Sequence, residues 1–391
     1  MSNTADVIII GGGIHGASLA FHLAQRGTQV IVLEKRFVAA GATGRSSGLV
    51  RMHYDTEANS RLAWVSFQYF RNWAEMVTGA PGCGFTRTGF IQIVAREHAN
   101  ALRANVAMQQ RLGIPSLVVT ADDVHRLAPS FSTGDFDIAA YEPESGYAAP
   151  SDAAASLMNA ARAQGARLIQ DCEVTGLEIA AGRISGVQTA QGIYSAPVVV
   201  NAAGAWAGRL NRMAGLDLPY DTWRHDTMFV KRPAEIGPTH PTVIDFPREL
   251  YFRPEGSGLT LVGLEDGNPL GESPDGDTEH AKPGFVERAI ERICERIPSM
   301  EKGHLHSAHG GYDGITPDQN PMLGPAGPDG FYLDCGFSGT GFKTAPAVGL
   351  CMAELILDGA AKTVDISLFT PLRFKEGRQV SGEHSYENIW R

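Results

Sequence analysis

Residues Val7 to Glu34 read V-I-I-I-G-G-G-I-H-G-A-S-L-A-F-H-L-A-Q-R-G-T-Q-V-I-V-L-E: strand, glycine turn, helix, strand, acid. No other stretch restricts the fold as tightly. Val7 to Ile10 is an apolar run without polar alternation, as a parallel strand buried on both faces requires. Gly11, Gly13 and Gly16 then form G-x-G-x-x-G. The first glycine permits a tight turn, the second lets backbone approach a pyrophosphate, and the third lets helix and strand pack closely. The segment from Ile14 to Arg26 places Ala17, Ala20, Leu23 and Ala24 on one face and stops at Gly27, so its N-terminal amides point at the phosphates. Ile14 and His15 lie inside that turn, and Glu34 ends the second strand where a carboxylate accepts from a ribose hydroxyl. A dinucleotide site without a 2′-phosphate is the expectation, with Lys35 following the acid.

The bulk properties narrow the rest. The chain has 391 residues, more than one ordinary core holds, so two domains are expected. A net charge of −10 provides no basic field for nucleic acid. No apolar window is long enough for a membrane span, and the start lacks a signal-peptide pattern, so the expected compartment is the cytoplasm. The five cysteines, Cys83, Cys172, Cys294, Cys335 and Cys351, never fall in C-x-x-C spacing, which suits reduced thiols.

Downstream, the small-residue stretch from Phe37 to Gly48, F-V-A-A-G-A-T-G-R-S-S-G, leads into L-V-R-M-H-Y and can lie flat against a ligand. A helix is expected over Glu57 to Val77, with Leu62, Val65, Tyr69, Trp73 and Met76 as its core stripe. Thr120 caps Ala121 to Leu127, and Ser151 caps a helix running to Gln164. Strands over Phe90 to Val94, Arg224 to Lys231, Pro241 to Ile244, Leu250 to Phe252 and Leu259 to Val262 suggest an antiparallel sheet, with a helix over Lys282 to Arg296. The turn after Val198-Val199-Val200, with Ala203 and Gly204, offers a second approach of backbone to cofactor. G-F-S-G-T-G-F-K at Gly336 to Lys343 precedes an apolar helix over Ala345 to Leu357, and the polar tail from Thr363 reads as peripheral.

Five stretches taken together resemble the D-amino-acid oxidase type of FAD-dependent oxidoreductases, most closely sarcosine oxidases and the β subunit of the heterotetrameric enzyme. They are G-G-G-I-H-G with Glu34, A-G-A-T-G-R-S-S-G-L-V-R, V-V-V-N-A-A-G-A-W, G-G-Y-D-G-I-T-P-D-Q-N-P-M-L-G and G-F-S-G-T-G-F-K-T-A-P. The likeness runs from Val7 to about Leu372. It implies α/β plus α+β architecture, a Rossmann-like FAD-binding domain interrupted by a substrate domain with an antiparallel sheet. The expected division is 1–82, 146–218 and 305–391 for FAD, and 83–145 and 219–304 for substrate.

For the cofactor the resemblance implies contacts from Thr43, Gly44, Arg45, Ser46, Ser47 and Gly48, from the backbone of Val174 at the adenine, and from Gly311. It also implies them from Gly339, Thr340, Gly341, Phe342 and Lys343, where a helix N-terminus would stabilise charge on the reduced flavin. FAD is expected to be non-covalent. The position of the monomeric enzymes' linking cysteine is Gly311, and no histidine stands at Pro150-Ser151-Asp152 to tether FMN.

The likeness also implies chemistry. Arg51 and Lys343 match a carboxylate-gripping pair, so a small amino or imino acid would lose hydride from carbon to flavin N5, giving an imine that hydrolyses. This needs a neutral amine and no carboxylate base. Alternatives are a salt bridge or flavin-phosphate contact for Arg51, and a flavin-N1 or oxygen role for Lys343. His53, with Tyr54, either faces substrate or holds the following helix, and His309 is a candidate polar contact near the flavin edge. His304, His306 and His309 form H-x-H-x-x-H, but on a strand only the first two share a face, so no metal is expected. Trp223, Arg224, Tyr251 and Phe252 either shape the pocket or pack the core. Thr260 or a neighbour matches the lysine that promotes oxygen reaction, leaving O2 or another acceptor, and partner subunits, open. The rival readings are an L-2-hydroxy-acid oxidoreductase and an electron-relay subunit.

Overall fold

The computed structural model describes residues 3–77, 82–256, 258–266 and 268–386. Val7–Ile10 pairs in parallel with Val30–Leu33 on one side and Val198–Asn201 on the other, starting at Val7↔Val30 and Val7↔Val198. Arg167–Ile169, Phe331–Cys335 and the antiparallel edge Met322–Pro325 complete a six-stranded sheet. Both faces of Val7–Ile10 and Val30–Leu33 are buried, as their unbroken apolar runs demand. The helix Ile14–Gln25 packs against both Pro150–Ala163 and Gly341–Asp358 beside the sheet. Gly349 makes the closest crossing, since a Cβ there would meet the Ser18 backbone carbon at 2.7 Å.

The second layer is an eight-stranded sheet in the order His304–Ile315, Asp221–Lys231, Leu259–Leu264, Leu250–Glu255, Thr242–Asp245, Phe90–Ile93, Ile138–Glu142, Leu117–Thr120. Every join is antiparallel except Thr242–Asp245 with Phe90–Ile93. That parallel join unites strands from both intervening stretches of the chain. Helix Phe285–Arg296 covers one face, and Arg296, fully buried, donates to Asp245 at 2.7 Å.

Several sequence expectations change. His304–Ile315 pairs along the whole of Asp221–Lys231 as an edge of the second sheet, while Gly314 O accepts from Ser338 N–H at 3.1 Å on the cofactor side. The long helix breaks at Asn72 into Glu57–Arg71 and Trp73–Met76, and Met76 turns outward. Ser151 is not a cap: the helix begins with Pro150 at its first position after Ala149. The C-terminal helix starts at Gly341, ahead of the apolar run. The tail is not peripheral, because Phe369 and Arg373 are fully buried and Arg373 pairs with Asp318 at 2.8 Å. Thr120 and Asp123 do form a reciprocal cap. Among the described residues no helix is long and apolar enough to cross a membrane.

Candidate active site

One cavity of about 290 Å³ runs between the carboxyl end of the first sheet and the face of the second. At its first end lie Gly11, Gly13, Ile14, His15, Glu34, Lys35 and Val174. Gly11 takes φ +111° and a Cβ there would strike the Ala202 carbonyl, so only glycine fits. The helix Ile14–Gln25 begins at Gly13 with no side-chain cap on that residue, and Ile14 N–H donates to Thr43 Oγ1 at 3.0 Å. Glu34 accepts from Gly12 N–H at 2.7 Å and Arg36 N–H at 2.8 Å, which aims its carboxylate along the turn. The Lys35 ammonium stands 3.8 Å above the Trp206 ring, and the Trp206 indole donates to Asp275 at 2.7 Å. That indole bond holds the Asp275 carboxyl down at about 2.

Along the middle run Thr43, Arg45, Ser46, Ser47, Ala203, Gly204, Gly311, Gly339 and Gly341. Asp334 also lines this stretch. Among the described residues both its buried carboxylate oxygens lack a hydrogen-bond partner, and Oδ1 faces His15 Nδ1 at 3.4 Å. The other nitrogen of His15 bonds the Gly341 carbonyl at 3.0 Å, and the ring stacks on Phe337. A helix N-terminus that starts on glycine, a glycine cradle and an orphaned acceptor suit a dinucleotide bearing phosphates and sugar hydroxyls. A Cβ on Gly311 would come within 2.7 Å of Arg45 Cβ, so the position is fitted to glycine.

At the far end stand Arg51, Lys343 and Phe342, walled by Leu49, Trp223, Ile244, Tyr251 and Tyr312. Arg51 is 3% exposed, its guanidinium stacks 4.4 Å from Tyr54, and it donates to the His53 carbonyl. Its Nε has no partner among the described residues. Lys343 is 7% exposed and donates to Gly339 O at 3.1 Å. Burial and the Arg51 charge hold its amine well below the usual lysine range. Beneath Arg51, Glu142 is buried and accepts from Met52 N–H at 2.9 Å, and burial raises its carboxyl.

Some expected residues do not reach the cavity. Gly16 is filled from behind by the Gly11 carbonyl, so its role is packing. A Cβ on Gly44 or Gly48 would strike the carbonyls of Ala39 and Ala148, which shapes the loop. The Thr340 hydroxyl donates to Phe337 O at 2.6 Å. His53 lies behind Arg51, 1% exposed, bonded to Gln109 and to the Tyr386 hydroxyl. His309 bonds Thr227 at 2.7 Å, and His304 and His306 are exposed. Arg224 pairs with Asp226 at 2.9 Å, and Phe252 is core, whereas Trp223 and Tyr251 do line the site. Thr260 bonds His240 at 2.9 Å away from the cavity lining. Among the described residues no group of three or more His, Cys, Asp or Glu is placed to hold a metal ion.

Sequence reasoning missed Glu265, Asp313 with its partner His225 at 2.9 Å, Asp334 and Tyr220, all of which line the cavity. The available signal was an acid closing an apolar strand at L-V-G-L-E and Y-L-D, the same grammar that marked Glu34.

Comparison with known proteins places the chain by family and fold. The family model described as DAO, FAD dependent oxidoreductase, matches residues 6–355. Human mitochondrial sarcosine dehydrogenase is 28% identical over 382 residues, covering 92% of this chain but only 40% of that relative. The sarcosine oxidase beta subunit of Rhizobium meliloti (strain 1021) is 28% identical, with 95% of this chain and 89% of that one covered. The crystal structure of L-proline dehydrogenase from P. horikoshii superposes with TM-score 0.89 at 29% identity, covering 97% of this chain and all of the other, 100%.

Proposed function

This chain belongs to the DAO family of FAD-dependent oxidoreductases, and on that premise we propose that it oxidises a small amino or imino acid, an N-substituted glycine or related secondary amine. One observation carries the reading: two buried basic side chains, Arg51 and Lys343, share the cavity whose other end holds the glycine turn and Glu34. The guanidinium offers a planar fork to a substrate carboxylate and the Lys343 amine a second donor, whose protonation the arriving carboxylate favours, which fixes the carbon that must give up hydride. Tyr251, Trp223, Ile244 and Leu49 exclude water around it. Bound FAD supplies the two-electron acceptor for that hydride. The names of the relatives support the substrate class, since sarcosine is an N-methyl amino acid and proline a cyclic secondary amine. In the same reading the eight-stranded sheet carries the substrate lobe, and electrons pass on to O2 or to another acceptor, including a partner subunit.

The test is an anaerobic screen of amino, N-methylamino and 2-hydroxy acids for bleaching of the bound flavin, followed by readmission of oxygen. Bleaching by secondary amino acids is expected. Bleaching by hydroxy acids alone would replace the reading, and slow recovery in oxygen would identify a dehydrogenase.

A further inference from the structure

The sequence expectation needed no carboxylate base, but we propose that Glu265 accepts the proton of the substrate ammonium, so that the site selects amino acids against 2-hydroxy acids; this rests on the reading of Arg51 and Lys343 as the carboxylate clamp. Glu265 directly follows strand Leu259–Leu264, and its backbone N–H donates to Glu249 O at 2.9 Å, which fixes the end of the strand. Its side chain lines the same end of the cavity as Arg51 and Lys343, near enough to interact with both charges. Among the described residues its carboxylate has no hydrogen-bond or ion-pair partner. The other acids on the cavity wall are engaged or remote. Asp313 is paired with His225, Glu34 is held by two backbone amides, and Asp334 faces His15 at the cofactor end.

Two basic groups, Arg51 and Lys343, and one unengaged carboxyl in a single pocket match a zwitterion. The clamp takes the substrate carboxylate, and Glu265 faces the ammonium. A protonated nitrogen has no lone pair to expel hydride from the adjoining carbon, so one proton must first leave it. The N–H bond breaks toward nitrogen and the proton joins a Glu265 oxygen, giving a neutral amine and a neutral carboxyl. The nitrogen pair then forms C=N as the hydride leaves with its two electrons. A 2-hydroxy acid brings no such proton and would face Glu265 with an unmatched charge.

The surroundings suit this exchange. Burial pushes the Glu265 carboxyl up to about 7, against the pull of Arg51 and Lys343 and with a push from Glu249. Tyr251 on the neighbouring strand is kept protonated by burial, and Asp313 has His225 beside it at 2.9 Å.

The experiment compares FAD-loaded wild type with Glu265→Gln, using sarcosine and L-proline as reductants from about pH 6 to about pH 10. It also measures binding of methoxyacetate, the ether analogue of sarcosine, by flavin absorbance. Near neutral pH the Gln variant is expected to be reduced roughly 100-fold more slowly, the lower end for a general base. The gap should narrow as pH rises and free amine accumulates, while methoxyacetate binds as tightly as before or tighter. Equal rates and an identical pH profile would overturn the proposal and leave the functional reading standing. A wild type that neither amine reduces would overturn both. If the Gln variant does not hold FAD, Glu265→Asp and the wild-type kcat/KM profile decide: a profile flat through neutral pH is the refuting result.

Discussion

Arg51 donates a guanidinium hydrogen to the backbone carbonyl of His53, and the ring of His53 is itself clamped between Gln109 and Tyr386. Gln109 directs its amide nitrogen to Tyr54 O at 3.0 Å, so its oxygen accepts from His53 Nδ1, and Nε2 accepts from the Tyr386 hydroxyl. Burial, aided by the Arg51 charge, brings the His53 pKa down to about 3, so the ring is neutral and this bonding pattern is fixed. On the proposed reading of Arg51 as the carboxylate clamp, His53 acts as a positioning residue, holding the carbonyl that orients the guanidinium.

Arg51→Lys keeps the charge but removes the fork, the stacking on Tyr54 and the bond to the His53 carbonyl. KM for the amino-acid substrate should rise by roughly 10- to 100-fold, corresponding to about 1.5–3 kcal/mol for hydrogen bonds to a charged group. FAD content should not change. Steady-state kinetics with flavin quantitation checks this, and an unchanged KM removes Arg51 from the clamp.

The cofactor end was legible because its determinants are local. Gly11, Gly13 and Glu34 obey a steric rule contained in one strand-turn-helix unit. Arg51 and Lys343 became legible through the family likeness, since nothing in local pattern tells that two distant basic residues converge. Glu265 and Asp334 were missed because an acid at the end of an apolar strand looks solvated until the opposing lobe is in place. Pairing partners are likewise invisible in periodicity: His304–Ile315 alternates no differently for joining Asp221–Lys231 than for joining the parallel sheet. Proline at the first helical position outranks a neighbouring serine as a helix start, which is why Pro150 and not Ser151 marks that boundary.

Glu34→Ala removes the acceptor of two backbone amides, Gly12 at 2.7 Å and Arg36 at 2.8 Å, together with the proposed ribose contact. The apoprotein should bind FAD roughly 10- to 100-fold more weakly, the range for losing bonds to a charged acceptor. Fluorescence titration of flavin against apoprotein measures it. A change within twofold would show that Glu34 serves the turn and not the ribose.

The family likeness puts Gly311 at the position of the flavin-linking cysteine expected in monomeric sarcosine oxidases, and any side chain there meets Arg45. Flavin should therefore appear entirely in the supernatant after acid precipitation. Gly311→Cys should not create a linkage but should lower stability by about 1–3 kcal/mol through overpacking, unless Arg45 moves out of the cavity. Absorbance of the supernatant and thermal unfolding read the two effects, and flavin retained in the pellet of the wild type would contradict the non-covalent assignment.

Three buried histidines set the response to acid. Burial brings His22 to about 4, and His53 and His240 to about 3, from 6.5. Because the folded-state values are the lower ones, the unfolded chain binds more protons below pH 6.5. Stability is therefore complete above that pH and is lost progressively as pH falls toward the folded-state values. At about pH 5 each fully buried histidine costs on the order of 2 kcal/mol relative to neutral pH. His240 is the cleanest place to test this, since its Nδ1 bonds Pro241 O at 2.8 Å and its Nε2 bonds Thr260 at 2.9 Å, clear of the cavity lining. His240→Gln lowers stability at neutral pH by breaking those bonds, yet it should flatten the decline between about pH 7 and pH 5 by roughly one histidine's share. Denaturant unfolding at both pH values measures that slope. A decline as steep as wild type would mean that His240 is already protonated in the folded chain or that other groups dominate acid unfolding.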